Sequence, residues 1–212
     1  MDGTIVDTEP YWMRAEEELV RSFGGTWTRD DAHSVIGTDL WYSARIFQSR
    51  GVELPEDEII DRLTDRVVEQ TRTLVPWRPG ARKLLLSLKE AGVPTALVTM
   101  SLRRMAEHII AAMGFDAFSV VIGGDDVTNG KPHPEPYHHG ASLLGLDAAE
   151  CVAIEDSTTG LASAVASGAV TIGVPAHIDL PESGDYTLWT TLEGRTIADL
   201  GALFAAQRAE VA

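Results

Sequence analysis

The pattern of apolar positions divides the chain into two sections. Residues 10–75 carry apolar side chains at helical spacing, first in a helix that Pro10 can open and that ends near Gly24–Gly25. The same spacing predicts a second helix over Leu40–Phe47 and a third that begins at Pro55. Because no convincing strand pattern interrupts this section, we expect it to be helical throughout.

Residues 76–212 alternate instead between short apolar runs and amphipathic helices. The runs that predict strands are Thr95–Thr99, Val120–Gly123, Val152–Ile154, Val170–Val174 and, as a possible edge strand, Tyr186–Thr191. Helical patterns lie between these runs, and a final helix is predicted over Ile197–Arg208. Short apolar strands separated by helices are typical of a parallel sheet that is covered on both faces. The pattern therefore predicts an α/β fold.

Composition and charge exclude several classes of protein. The 212 residues include 17 basic and 32 acidic side chains, a formal net charge of −15. An acidic balance argues against nucleic-acid binding and against docking on anionic membranes, both of which need a basic face. The longest mostly apolar stretch, Val93–Met100, is far shorter than the roughly 20 residues that span a bilayer. The single cysteine, Cys151, cannot form an internal disulfide, so we expect a reducing compartment such as the cytoplasm.

Four sets of polar residues fall at or near the ends of predicted strands, where the chemistry of parallel sheets gathers. They are Asp2 in the opening turn, Thr99, Lys131 and the pair Glu155–Asp156. Each alone has an ordinary reading, since an Asp-Gly pair often only turns the chain and acids before a serine often cap a helix. The combination has a different interpretation. Adjacent carboxylates are suited to binding Mg²⁺, and a lysine, a hydroxyl and backbone N–H groups are suited to binding phosphate oxygens. The set indicates a phosphoryl-transfer site.

These residues lie in four segments that carry a family resemblance. The segments occur in the order Met1–Pro10, Leu97–Ser101, Gly130–Pro132 and Ile154–Ser157. They resemble the four motifs of the haloacid dehalogenase superfamily, most closely its phosphatase and β-phosphoglucomutase-like branch. That resemblance implies a Rossmann-like parallel-sheet core, formed by residues 1–9 and 76–212, with an inserted all-helical cap at 10–75.

The resemblance also implies a mechanism and a role for each motif. In the first motif, Asp-x-Asp-Gly-Thr, the first Asp attacks phosphorus to form an aspartyl-phosphate, and the second is the general acid and base. Asp2 stands at the second position, and Lys131 would offset the charge of the reacting phosphate. The resemblance assigns phosphate binding to Thr99, Met100 and Lys131, and a Mg²⁺ shell to Asp2, Glu155 and Asp156.

The first motif departs from the family pattern. Met1 occupies its x position, so the nucleophilic Asp would precede Met1 and the sequence does not contain it. The apolar strand that should lead into this Asp is missing too. We expect the chain to begin at an internal methionine of a longer protein and to be inactive as it stands. The alternative is a natural non-catalytic form that binds phosphate or acts as an interaction protein.

The expected substrate is a small phosphomonoester such as a sugar phosphate, hydrolysed by a monomer or weak oligomer. Trp12, Trp41 and Tyr42 are candidates for an apolar substrate wall, although they could equally be core residues of the cap. A β-phosphoglucomutase-like isomerase remains the alternative, but such an enzyme would need a second phosphate clamp, typically Arg or Lys, in the cap. The loop Gly37–Tyr42 offers no basic residue for one before Arg45. A dehalogenase is disfavoured, because Asp2 replaces the aromatic residue usual in such enzymes.

Overall fold

The computed structural model describes residues 1–72 and 74–211 and has the predicted α/β fold. Four helices come first, namely α1 Glu9–Ser22, α2 Arg29–Val35, α3 Leu40–Ser49 and α4 Glu56–Thr71. Strands and helices then follow in the order α5 Ala81–Glu90, β1 Ala96–Val98, α6 Arg103–Ala112, β2 Val120–Ile122, α7 Glu135–Leu143, β3 Val152–Glu155, α8 Thr158–Ala166, β4 Val170–Gly173, β5 Thr187–Leu188 and α9 Ile197–Val211. All five predicted strands are present, most of them shorter than their apolar runs.

Helices α1–α4 pack on one another, and no strand lies between residues 10 and 72. Their apolar faces meet around Phe47, Ile59 and Val67, which are at most 1% exposed. The rings of Trp27 and Phe47 lie 4.7 Å apart between centroids. Amphipathic spacing explains this packing, because residues three and four apart share one face of a helix.

Helix α2 was not predicted. It has seven residues, of which only Ala32 and Val35 are buried, so its apolar period is too short to detect. A capping box holds its first turn, because Asp31 N–H donates to Thr28 Oγ1 at 3.2 Å and Thr28 N–H donates to Asp31 at 2.9 Å. The Thr-x-x-Asp spacing was the available signal for this helix.

The strands form two separate parallel sheets. In the first, β1 pairs with β2 and Leu97 lies opposite Val121. In the second, β4 lies between β3 and β5, and Ile172 pairs with Ile154 and Thr187. Right-handed crossover helices cover such sheets, and here α7 packs on β1 and β2 while α8 packs on β3 and β4.

The hydrophobic core is divided into two clusters, as the strands are divided into two sheets. The first cluster joins α1–α4 to β1 and α6, and includes Phe47, Leu97 and Ile109. The second cluster joins α5, β4 and α9, and includes Leu84 and Ile172. Between the sheets, the facing edges of β1 and β3 border a cavity of about 480 Å³. No helix of the described residues has the length and apolar character to cross a membrane.

Candidate active site

The structure brings five of the predicted site residues together where β1 and β3 end. Thr99 directly follows β1, Glu155 is the last residue of β3, and Asp156 follows it. Lys131 enters from the loop between β2 and α7, and Asp2 comes from the first turn of the chain. All five line one cleft of about 160 Å³. Because parallel strands end at the same edge of a sheet, residues distant in sequence meet here.

The Lys131 ammonium is buried against the Glu155 carboxylate. Lys131 Nζ lies 2.5 Å from Glu155 Oε1 and donates to the Val98 carbonyl oxygen at 3.0 Å. The lysine and glutamate side chains are only 8% and 6% exposed. The Tyr137 hydroxyl donates to the same Oε1. Since a buried charge is tolerated only when it is paired, each partner depends on the other.

The charge state of this cluster follows from its surroundings. Burial acts to raise the pKa of Glu155, but the Lys131 ammonium, the Met1 amino group and the hydrogen bonds from Lys131 and Tyr137 outweigh it. The pKa of Glu155 therefore lies below its usual value. Burial first, and then the Glu155 charge, raise the pKa of Tyr137 well above its usual value. Glu155 is anionic and Tyr137 neutral at neutral pH.

Two hydroxyl groups orient the carboxylate of Asp2. Thr8 Oγ1 donates to Asp2 Oδ1, and Ser101 Oγ donates to Asp2 Oδ2 at 2.6 Å. Thr8 is fully buried and Ser101 is 7% exposed. Sequence reasoning assigned no role to Thr8 or Ser101, although both lie within the motif segments. Both carboxylate oxygens are thus held in place at the edge of the cleft.

Asp156 is a desolvated carboxylate beside the first turn of the chain. Thr4 Oγ1 donates to Asp156 Oδ1 at 2.6 Å. Burial, followed by the charge of Glu155, raises the pKa of Asp156 to about 6. Gly3 has a φ of 70°, and a Cβ there would lie 2.0 Å from Asp156 Oδ2. The close approach of Asp156 therefore requires glycine at position 3.

The three predicted metal-binding acids do not converge as one set. Within the parts of the chain that the structure describes, no three His, Cys, Asp or Glu side chains form a cluster that could hold a metal ion. Asp156 contacts Gly3, the neighbour of Asp2, whereas Glu155 is turned to Lys131 and Tyr137. The desolvated carboxylate of Asp156, with oxygen donors of Asp2 nearby, still fits Mg²⁺. That ion is commonly held by one or two carboxylates with water and substrate phosphate.

The predicted phosphate-binding loop after β1 is tied to the loop of Lys131. The N–H of Ser101 donates to Thr99 Oγ1 at 3.2 Å, and the N–H of Lys131 donates to Met100 Sδ at 3.2 Å. Thr99 is 4% exposed, and Met100 lines the cleft beside it. A lysine, a threonine hydroxyl and this loop thus border the same space.

Comparison with known proteins decides the family. A family model described as haloacid dehalogenase-like hydrolase matches residues 1–174, which is well over half of the chain. The chain belongs to the haloacid dehalogenase-like hydrolases.

Two phosphatases and one solved structure are similar to this chain. Hexitol phosphatase B of Escherichia coli (strain K12) is 30% identical over 184 residues, which cover 83% of this chain and 81% of that protein. Hexitol phosphatase A of the same strain is 32% identical over 188 residues, which cover 89% and 86%. The crystal structure of CbbY from Rhodobacter sphaeroides in complex with phosphate has a TM-score of 0.84 at 27% identity. That match covers 95% of this chain and 96% of CbbY.

The structure places only one of the three aromatic residues that were predicted as a substrate wall at the cleft. Trp12 lines the cleft from α1. Neither Trp41 nor Tyr42 is among the described residues that line it. Trp41 Nε1–H instead donates to Asp57 of α4 at 3.0 Å, and Tyr42 is 51% exposed. Of the three, Trp12 alone is placed where it could contact a substrate in the cleft.

Two acids that sequence reasoning missed also line the cleft. Glu9 and Glu16 lie seven residues apart on α1, which places them on one helix face with Trp12. Burial and then the Glu16 charge raise the pKa of Glu9 to about 8. Burial raises the pKa of Glu16 to about 7, against the lowering effect of the hydrogen bond that Trp27 Nε1–H donates at 3.1 Å. The available signal was an acid on the apolar face of an amphipathic helix.

Glu16→Gln is expected to weaken the pH dependence of stability between pH 5 and pH 8. Folded Glu16 holds its proton up to about pH 7, whereas the unfolded chain releases it near its ordinary pKa of about 4.3. The unfolded state thus binds fewer protons in this range, so stability falls as pH rises. Glutamine keeps an acceptor for Trp27 and removes this contribution.

Urea unfolding at several pH values measures the slope. Glu90→Gln, which changes an exposed acid at the end of α5, is the matched control. Equal slopes for Glu16→Gln and the unmodified chain would contradict the raised pKa of Glu16.

Proposed function

We propose that the chain carries the site of a Mg²⁺-dependent phosphatase that hydrolyses a small phosphomonoester such as a sugar phosphate. The observation that carries the proposal is the meeting of Lys131, Thr99, Asp2 and Asp156 at one cleft. The phosphatase names of two relatives at 30–32% identity support the substrate class, and the phosphate bound to CbbY supports the ligand. In this proposal residues 1–9 and 76–212 form the core, and residues 10–75 form the cap.

The phosphoryl group would bind at the end of β1. The Lys131 ammonium offers one donor beyond the two that bind Glu155 and Val98, since an ammonium has three. Thr99 Oγ1 and the Met100 N–H would hold further phosphate oxygens. Glu155 would act as a positioning residue, because its carboxylate fixes Lys131 Nζ from 2.5 Å.

Asp2 would transfer the proton. It would protonate the leaving oxygen and then activate water, as the second Asp of the family's first motif does. Thr8 and Ser101 donate hydrogen bonds to its two carboxylate oxygens and so would orient it. A reoriented carboxylate would no longer face the leaving group.

Asp156 and Asp2 would hold the metal. Mg²⁺, when bound, supplies Lewis acidity and a template for the phosphate. The Asp156 carboxylate and the Asp2 backbone carbonyl are the assigned oxygen donors. Thr4 would keep Asp156 in place through its hydrogen bond at 2.6 Å.

Nucleophilic attack on phosphorus is the one step to which the family resemblance assigns no residue of this chain. The family resemblance places the nucleophile immediately before Met1. We therefore propose that the 212-residue chain binds phosphate and metal but has negligible turnover.

Hydrolysis is preferred to isomerisation for a physical reason. A mutase holds a bisphosphorylated intermediate and needs a second cationic clamp. The described residues that line the cleft include Lys131 and His177 but no arginine. One phosphate is therefore the charge that this cleft is equipped to bind.

A panel of phosphomonoesters tests the proposal on a form extended by a strand and an aspartate before Met1. Phosphate release from sugar phosphates supports it, and isomerisation without release overturns it.

Asp156→Asn in that extended form is expected to lower the Mg²⁺-dependent turnover by at least about 100-fold, since even groups outside the ligand shell often contribute 10–100-fold. A neutral amide is a poorer ligand for a hard cation than a carboxylate. Phosphate release across a Mg²⁺ titration, with and without excess chelator, measures the change. Asp116→Asn, at a fully exposed acid, is the control. Full activity in chelator, or equal activity of both variants, would contradict the metal assignment.

A further inference from the structure

Glu16 is a buried acid on the helical side of the cleft, and the proposed reaction does not use it. The residue is 5% exposed, yet it lines the cleft one turn of α1 after Trp12. The residues proposed to bind phosphate and metal come instead from the strand ends and loops on the opposite side. Because burying a carboxyl costs free energy unless it finds a partner, its position in the cleft needs a physical explanation.

One oxygen of the Glu16 carboxyl is held by the core of the helical section. Trp27 Nε1–H donates to Glu16 Oε2 at 3.1 Å, and the Trp27 ring packs on the buried ring of Phe47. Within residues 1–72 and 74–211, no group donates to the other oxygen, Oε1, and this oxygen is not sealed from solvent. The carboxyl is therefore oriented through Oε2, and Oε1 is available to a ligand in the cleft.

The protonation of Glu16 decides which ligand groups it can bind. Burial raises the pKa of Glu16 to about 7, although the hydrogen bond from Trp27 lowers it. The carboxyl therefore holds its proton at mildly acidic pH and for part of the neutral range. Because Oε2 already accepts from Trp27, the proton lies on Oε1 and can be donated into the cleft. A neutral carboxyl of this kind donates and accepts hydrogen bonds, which matches a hydroxyl group of a ligand.

The wall of the cleft on the side of Glu16 combines apolar side chains with two hydroxyls. Ile60 and Leu63 of α4 line it and are buried. Thr38 and Ser43 line it as well, and their Oγ1 and Oγ atoms lie 2.7 Å apart. Among the described residues of α1–α4 and their turns that line the cleft, none is a lysine, an arginine or a histidine. This wall can hydrogen-bond a polar ligand group but has no cation to pair with a second anionic one.

Helix α1 separates Glu16 from the acids of the proposed metal site. After burial and the Glu16 charge, the charges of Asp2 and Asp156 also raise the pKa of Glu9, the first residue of α1. Neither of these two charges shifts the pKa of Glu16, which follows seven residues later, about 10 Å along the helix axis. Glu16 thus lies on the part of the cleft wall that the end of a ligand remote from its phosphate would reach.

We propose that Glu16 is a specificity-determining residue that binds a hydroxyl group on the part of the substrate remote from the phosphate, and so selects polyol phosphates over alkyl phosphates. The inference rests on the proposed function, because the phosphate site at Lys131 fixes the other end of the ligand. Oε1 would bind the hydroxyl while Trp27 keeps Oε2 in place. An alkyl chain would instead leave the buried carboxyl without a partner, and that loss is what disfavours it.

Binding to the 212-residue chain tests the inference without any turnover. The two ligands are a hexitol phosphate and the straight-chain alkyl phosphate with the same number of carbon atoms. They are titrated by calorimetry with Mg²⁺ present at about pH 6, where Glu16 holds its proton. We expect the hexitol phosphate to bind at least about tenfold more tightly, since the alkyl chain leaves the carboxyl unpaired. Equal binding of the two ligands would overturn the proposal.

Glu16→Met and Glu16→Gln separate hydrogen bonding from charge. Methionine removes both the donor and the acceptor, so the preference for the hexitol phosphate should fall at least about tenfold. Glutamine keeps a donor and an acceptor, so the preference should be retained to within about threefold. A loss in Glu16→Gln as large as in Glu16→Met would overturn the proposal, because an amide can make the same hydrogen bonds.

Glu17→Met is the matched control. Glu17 is the next residue of α1, but its side chain lies at the surface and contacts Arg21 at 2.7 Å. This variant should leave both affinities unchanged. A purely structural role of Glu16 would weaken the two ligands equally in Glu16→Met and leave their ratio unchanged, which contradicts the proposal.

Infrared difference spectra keep the test decisive if Glu16→Met does not fold. The carbonyl stretch of protonated Glu16 should shift when the hexitol phosphate binds, because the carboxyl then acquires a hydrogen-bond partner. The alkyl phosphate should leave this band in place. Glu16→Gln removes the band and so distinguishes it from that of Glu9. A Glu16 band that the hexitol phosphate does not shift would overturn the proposal.

Two further ligands distinguish this inference from its rivals. Inorganic phosphate should compete with the hexitol phosphate. If it does not compete while Glu16→Met still weakens the hexitol phosphate, the hydroxyl contact stands and the result counts against the proposed phosphate site alone. An aminated hexitol phosphate should bind no more tightly than the hexitol phosphate itself. Tighter binding of the amine that is lost in Glu16→Gln would overturn the proposal, since Glu16 would then select a cation.

Discussion

An apolar strand that ends in aspartate, fused directly before Met1, is expected to raise phosphatase turnover by several orders of magnitude, the usual scale for a covalent nucleophile. Covalent attack needs a group about 3–3.5 Å from phosphorus and in line with the leaving oxygen. In the family's first motif the nucleophile and the acid stand two residues apart, which is about 6–7 Å on an extended chain. Asp2 therefore cannot occupy both positions. The Met1 amino group, which is buried beside Asp2 and Lys131, cannot replace the nucleophilic carboxylate.

The comparison needs three proteins assayed with Mg²⁺ and a generic aryl phosphate. They are the 212-residue chain, the form extended with aspartate and the same extension ending in asparagine. The asparagine form controls for repair of the sheet without repair of the chemistry. Comparable turnover in all three would mean that the nucleophile is misassigned, and the roles carried over from the family would have to be withdrawn.

Lys131→Met in the aspartate-extended form is expected to lower both turnover and stability. Loss of a preorganised charge at the reacting phosphate costs about 100–1,000-fold in turnover. Breaking a buried ion pair costs about 3–5 kcal/mol of unfolding free energy, because the Glu155 carboxylate stays buried without its counter-ion. Tyr137 still donates one hydrogen bond to that carboxylate, which offsets part of the loss.

The pH dependence separates this explanation from a general packing defect. The lowered pKa of Glu155 stabilises the unmodified fold above the unfolded pKa, and this contribution is lost as pH falls. Without Lys131 the balance reverses, because burial then raises the pKa of Glu155 and stability falls as pH rises. Urea unfolding from pH 4 to pH 8 measures both slopes.

Two further variants serve as references. Lys89→Met changes a lysine that is 43% exposed and should leave turnover and stability nearly unchanged. Lys131→Met combined with Glu155→Gln should recover much of the stability, since no buried charge remains, but not the turnover. A double variant as unstable as Lys131→Met would show that packing, not charge, explains the loss.

The sequence predicted that the motif residues meet, because the topology of a parallel sheet brings the carboxyl ends of its strands to one edge. Thr99, Lys131 and Glu155 are far apart in the chain, yet each of them follows a short apolar run that predicts a strand. The alternation of strand and helix was then enough to place them at one edge.

Side-chain directions were beyond the sequence. Whether Glu155 faces a metal or Lys131 depends on which partner lies within reach once the strand is in place, and Tyr137 joins from another helix. The same applies to Trp41, which turns to Asp57. Spacing identifies a face of a helix or strand, but packing decides which neighbour occupies it.

Two hydrophobic clusters on either side of an open seam also bear on cooperativity. Cooperative unfolding requires each part of a core to lose packing when any other part does. Here the cluster around Phe47 and Leu97 and the cluster around Leu84 and Ile172 share few contacts, mainly through Ile5 and Trp77. The two halves are therefore expected to be only weakly coupled to each other in unfolding. A strand in the seam would couple them into a single folding unit.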